Sequence, residues 1–178
     1  MNQCFPPPHV MTTELANWAL WSYKDFSFVK VMGNHNVRHH HDPDTDATAY
    51  TYYRDENCTI VAFRGTESLR DVRIDLSVWP GKYGQARVHS GFLKQWKGLK
   101  RSIILSLNGT KGFVFLCGHS LGGAVACIAA CDLAKHFKNT NNHLQFAVTT
   151  FGAPRVGNSA FLEEFKANVY HSHRVVRR

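Results

Sequence analysis

No apolar run in this sequence approaches the roughly 20 residues that a helix needs to cross a bilayer. The longest, such as Ala124 to Cys131, are far shorter, so no membrane span is expected. The amino terminus, "MNQCFPPPHVMTTELANW", lacks a basic segment followed by an apolar one, and Glu14 interrupts the single candidate stretch, so secretion by the usual signal is not expected either. Acidic residues are scarce, 13 against 21 lysines and arginines, and the resulting formal charge of +8 favours anionic surfaces as partners. The basic residues are scattered among apolar patterns instead of forming one block, and no zinc-finger or RNA-binding signature appears; nucleic acid is not an expected partner. The five cysteines are an odd number. Cys117, Cys127 and Cys131 fall in segments that read as buried, where a thiol acts as a small hydrophobe. A reduced compartment, cytoplasmic or similar, is the expectation. Cys127 and Cys131 have helical i,i+4 spacing, but no neighbouring histidine set completes a zinc site.

What is present is ordinary globular composition, 44% hydrophobic and 19% charged, with no internal repeat or long linker, which predicts one domain over residues 1–178. Thr12 or Thr13 is placed to cap a helix whose Leu15, Trp18, Ala19 and Ser22 share one face. "FSFVKVM" reads as a strand, and "GNHNVRHHHDPDTDA" as a polar loop. Its three histidines and nearby aspartates offer metal ligands, but without a fixed framework a solvated loop is the preferred reading. "TAYTYYR" and "CTIVAFRG", rich in β-branched and aromatic residues and separated by "DEN", predict adjacent strands joined by a tight turn. An amphipathic helix follows from Ser90, with Phe92, Trp96, Leu99, Ile103 and Leu107 inward and Lys94, Lys97, Lys100 and Arg101 outward. "GFVFLC" and "LQFAVTTFG" are continuous apolar runs, as expected of parallel strands buried on both faces. "NSAFLEEFKAN" reads as a helix opened by Asn158, and "HRVV" as the start of another strand. This alternation predicts a three-layer α/β fold with a mainly parallel sheet.

Gly118-His119-Ser120-Leu121-Gly122 fits G-x-S-x-G between the buried strand "GFVFLC" and a helix with Val125, Ile128, Ala129 and Leu133 on one face. A sharp strand-to-helix turn puts the serine in a strained backbone conformation and leaves room only for tiny neighbours, which accounts for Gly118 and Gly122. The turn presents the hydroxyl at the carboxyl edge of the sheet, where α/β sheets bind ligands. The free N–H groups and dipole of the helix then favour negative charge on an attacked carbonyl oxygen. Without that chemistry the same pattern is a glycine-rich turn required only for packing.

Four separated motifs stand in order: "VAFRGTES" at 61–68, "VHSGF" at 88–92, "GHSLGGA" at 118–124 and "TFGAPRVGN" at 150–158. From about Thr48 onward the sequence resembles the class 3, or fungal-type, lipases of the α/β-hydrolases. The resemblance implies a lipid ester hydrolase, triacylglycerol lipase or phospholipase-like, that works through an acyl-serine and needs neither metal nor organic cofactor. It implies Ser120 as nucleophile, the Leu121 backbone N–H as one oxyanion donor and Thr66 as the other. Thr66 follows a strand at a glycine turn and has both an N–H and a hydroxyl to donate, though capping the next helix is an equally natural role. His119 is expected to point away from Ser120 as a structural member of the elbow, and His89 to order its own loop. A lid is implied over "SLRDVRIDLSVWP", where Leu69, Val72 and Leu76 share one helical face. With Arg73 where the family often has an aromatic, that segment suits anionic phospholipid surfaces; the other reading is an ordinary surface helix.

The acid and histidine that complete such a triad follow the serine in this fold order. The resemblance puts both beyond Arg178, so the carboxyl-terminal part of the fold is expected to be missing from these residues. Asp132 lies on the serine's own helix, about 18 Å along at 1.5 Å per residue. His136 fails for the same reason, Glu163 and Glu164 sit on a covering helix, and His171 and His173 are expected before the last strand at the edge opposite the elbow. Two readings stay open: the amino-terminal portion of a serine lipase, or a catalytically incomplete module that binds lipid or a membrane surface.

Overall fold

The computed structural model describes residues 8–66, 81–140 and 144–176. Helix α1 (Pro8–Trp21) and the short α2 (Phe26–Met32) precede a run of three strands, β1 (Val37–Asp42), β2 (Ala47–Asp55) and β3 (Cys58–Phe63). A two-stranded ribbon, β4 (Gly81–Tyr83) with β5 (Ala86–Val88), leads into α3 (Ser90–Leu107). Then β6 (Phe113–His119), α4 (Leu121–Asn139), β7 (Gln145–Phe151), α5 (Ser159–Asn168) and β8 (His171–Val175) alternate. The main sheet has the order β1-β2-β3-β6-β7-β8, antiparallel through β1-β2-β3 and parallel from β3 to β8.

The apolar strands are buried on both sides because their side chains alternate. In β6, Phe113, Phe115 and Cys117 join the layer under α1 with Leu15, Trp18, Tyr50 and Ile60. Val114 and Leu116 face the other way, into the larger layer with Trp96, Leu99, Ile128 and Leu133 of α3 and α4. Each fully buried leucine or isoleucine of these layers contributes about 1.5–3 kcal/mol through burial. The three-layer arrangement and the mainly parallel sheet agree with the sequence pattern.

Four local expectations are corrected. First, "FSFVKVM" is a helix. Asp25 caps it, its carboxylate accepting the Phe28 N–H at 2.9 Å, and Gly33 ends it. The capping of Asp25 outweighs the strand-like alternation of Phe26, Phe28 and Lys30. Second, the histidine-rich loop contains β1 itself, paired residue for residue with β2 from Val37↔Tyr52 to Asp42↔Ala47. It is a polar edge strand in which only His40 is buried. The strand also disperses the histidines: His39 and His41 share one face with rings 6.2 Å apart, and His40 turns to the other. Among the described residues no group of three metal-binding side chains forms. Third, α1 begins at Pro8, ahead of the expected threonine caps, although Leu15, Trp18, Ala19 and Ser22 are its buried face. Fourth, at the other end, β8 starts at His171 and so contains both His171 and His173.

Candidate active site

β6 ends in the centre of the sheet, and the chain reverses into α4 within one residue, Ser120. Its backbone stands at φ 53°, ψ −125°, a combination that costs a non-glycine residue about 1–3 kcal/mol. The turn is pinned on both sides. The Ser120 N–H donates to the Phe151 carbonyl at 2.9 Å, and the Ser120 carbonyl accepts from the N–H of Gly123 at 3.1 Å and of Ala124 at 3.3 Å. Its neighbours must be bare: a Cβ on Gly118 would overlap the Gly122 carbonyl, and one on Gly122 the Phe63 carbonyl. Ser120 itself is 4% exposed.

Leu121 opens α4, so its N–H has no acceptor within the helix. Leu121 and Thr66, 55 positions apart in the chain, line the same cavity, about 510 Å³ in volume. Arg64, Asp46 and Gln95 line it too. Arg64 donates to the Asp46 carboxylate at 2.8 Å and to its carbonyl at 2.9 Å, which ties the end of β3 to the turn before β2. These three polar residues were not legible as site residues, because Asp46 and Gln95 are distant in sequence and carry no motif.

His119 Nδ1 meets the Tyr23 hydroxyl at 2.9 Å, joining the end of α1 to the elbow across 96 positions. Tyr23 gave no sequence signal for this role. His89 precedes α3, stacks on Phe92 with ring centroids 4.2 Å apart, and holds its loop through its backbone N–H to Val156 at 3.0 Å. Leu69, Val72 and Leu76, the expected lid, lie outside the described residues.

No histidine or carboxylate among the described residues bonds the Ser120 hydroxyl. Asp132 accepts the Trp96 indole N–H at 2.7 Å and Lys100 at 2.8 Å, Glu164 pairs with Lys135, and Glu163 with Lys166. His136 packs edge-on against Phe137. His173 aligns with Thr149 and, through it, Cys117, three rows below the serine and two strands away.

Comparison with known proteins supplies the rest. Residues 60–178 match the family described as "Lipase (class 3)". A protein named "Secreted mono- and diacylglycerol lipase 2" from Gibberella zeae is 34% identical over a match covering 78% of this chain and 38% of that protein. A "Lipase" from Rhizomucor miehei is also 34% identical, over 65% of this chain and 34% of that protein, so the present chain spans less than half the length of either relative. The crystal structure of a lipase from Rhizopus microsporus var. chinensis superposes with a TM-score of 0.74 at 27% identity, covering 96% of this chain and 67% of that one.

The expectation of a cytoplasmic, reducing compartment is overturned by relatives named as secreted, from Gibberella zeae and Fusarium solani. Burial explains the misreading. Cys58, Cys117 and Cys131 are free and buried, and burial raises the pKa of each thiol and of Cys127, so unpaired cysteines persist here for want of access, whatever the redox state outside. With the family match over two thirds of its length and the fold of the fungal lipases, the chain belongs to the class 3 lipases of the α/β-hydrolases.

Proposed function

We propose that this chain supplies the nucleophile and the oxyanion donors of a serine hydrolase that cleaves carboxylic esters of lipids, acylglycerols or phospholipids, outside the cell. The observation that carries the reading is the backbone of Ser120, a strained conformation maintained at the junction of a central strand and a helix amino terminus. In the reaction, Ser120 Oγ gives its proton to a histidine base and bonds the acyl carbon. The Leu121 N–H and the donors of Thr66 hold the oxyanion, and the alcohol departs with the proton returned by the base. Water, deprotonated by the same histidine, then releases the fatty acid and restores the serine. By resemblance to the class 3 pattern, that histidine and its acid are expected after Arg178. Formal charge of +8 and the sequence of the 67–80 segment favour an anionic membrane surface as the place where substrate is met.

The test is labelling with a fluorophosphonate. The oxyanion donors alone retain roughly 10³–10⁴ of acceleration over water in triad knockouts, so slow labelling of this chain is expected even without the base. The adduct should map to Ser120 and vanish in Ser120→Ala. No adduct on the folded chain overturns the reading and leaves a catalytically incomplete, lipid-binding module.

A further inference from the structure

We propose that α2, with the turn before it, is a docking surface for a bilayer containing anionic phospholipid, set on the flank of the elbow and separate from the 67–80 segment. The inference rests on the lipid-ester reading for its reason to exist, and on α2 itself for its chemistry.

Large apolar side chains are rarely left exposed together on a soluble surface without a partner. Nine stand exposed among the described residues, and five of them fall between positions 20 and 32: Leu20 at 61%, Phe26 at 37%, Phe28 at 40%, Val31 at 66% and Met32 at 42%. Within α2 only Val29 is buried. Phe28, Val31 and Met32 have the i, i+3, i+4 spacing that aligns them on one outward stripe. Phe26 is held at the base of the helix, stacked on His39 with centroids 5.1 Å apart.

The surrounding charge selects the partner. Lys24 and Lys30 are exposed on this segment, one on the turn before α2 and one within it. The one carboxylate in the segment, Asp25, is occupied in capping α2. A short apolar stripe flanked by two lysines matches an anionic lipid interface, where a few inserted side chains and electrostatic attraction act together. A stable protein dimer needs about 800 Å² from each partner, more than a stripe of three side chains supplies. The surface is also firmly joined to the candidate site. Tyr23 reaches His119, Tyr50 donates to the Lys24 carbonyl at 3.2 Å, and the Ser22 hydroxyl contacts the carbonyls of Ala19 and Phe63 at 2.8 and 3.4 Å. Docking through α2 therefore fixes the orientation of the elbow relative to the bilayer.

Flotation of the full chain tests this, using vesicles of phosphatidylcholine alone and of phosphatidylcholine with phosphatidylglycerol. The chain should float with the mixed vesicles. The double variant Phe28→Ser, Val31→Asp should lose about tenfold or more in binding, with its circular dichroism and its labelling at Ser120 unchanged. Lys30→Glu should lose a few-fold on mixed vesicles only, an effect that disappears at high salt. Flotation of the double variant equal to the parent overturns the proposal. So does a parent dimer that the double variant dissociates with vesicle binding unaltered, which would make α2 a contact between copies. The hydrolase reading fails separately: absent labelling of Ser120 with flotation still dependent on α2 removes that reading and keeps this one.

Discussion

Acidification should loosen the face of the sheet covered by α3, and His40 is the reason. Its ring is 2% exposed, with Nδ1 3.1 Å from the Ser102 hydroxyl and Nε2 2.9 Å from the Thr51 hydroxyl. Thr51 in turn meets Ser106, and the two serines reach the carbonyls of Leu99 and Ile103. Burial first, then the charges of Arg38 and His39, lower the pKa of His40 from 6.5 to about 4. Above pH 6.5 the ring is neutral in both folded and unfolded chains. Between 6.5 and 4 the unfolded chain takes up a proton that the folded one refuses, so stability falls as pH falls; below 4 this group costs nothing further. A shift of that size corresponds to at most about 3 kcal/mol, lost with a slope no steeper than about 1.4 kcal/mol per pH unit. It is an upper bound because five contacts share four protons when the ring is neutral, and the imidazolium would supply the fifth. Urea unfolding from pH 7.5 to 4 measures the effect, and His40→Gln isolates it from the other titrating groups. The parent should lose up to about 3 kcal/mol more than the variant across that window. Parallel curves for the two proteins would refute the reasoning.

Two further substitutions probe the elbow and its surroundings. Ser120→Gly should raise stability by about 1 kcal/mol, once the extra freedom of glycine in the unfolded chain is subtracted, because it removes the penalty of φ 53°. Ser120→Ala should not, so equal melting of the two variants would mean that the turn carries no strain. Asp132→Asn should cost about 1–2 kcal/mol in thermal unfolding by weakening the Trp96 and Lys100 contacts, and leave fluorophosphonate labelling intact. Loss of labelling at unchanged stability would make Asp132 a participant in the chemistry.

The sequence was most informative where a segment's own pattern decided its structure. The runs around Val61, Leu116 and Val148 are too apolar for anything but buried strands, and Asn158 announces α5 by accepting the Phe161 N–H at 3.1 Å. It was least informative where partners lie far apart. The strand at His39 to His41 has edge polarity, and the pairing with Thr48 to Tyr50 that creates it is not a local property. In α2 the alternation of Phe26, Phe28 and Lys30 resembles a strand, and the capping signal of Asp25 with Gly33 seven positions after the helix start outweighs it. Thr66 and Leu121 were named from motifs, yet their meeting in one cavity follows from the parallel pairing of β3 with β6. Arg64 and Asp46 meet through the antiparallel pairing of β2 with β3, and Tyr23 reaches His119 because α1 packs on β6.

A strained serine persists only where its surroundings over-determine it, and here four strands contribute. β6 delivers the residue, and the end of β7 takes its N–H at Phe151. Gly152, at φ 58°, then bends β7 away and donates to the Val175 carbonyl of β8, so the turn that shapes the far side of the elbow is anchored by the last strand. On the near side the end of β3 fills the space that a larger residue at 122 would occupy, and Tyr23 fixes His119. Each hold is a backbone hydrogen bond, a glycine contact or a single side-chain bond, and none needs an acid or a base at the serine. The geometry that prepares the nucleophile is therefore independent of the groups that would activate it. Elbow strain and the rate of fluorophosphonate labelling should accordingly separate in experiment, the first belonging to these strands and the second rising above its slow basal level only when a histidine base is supplied.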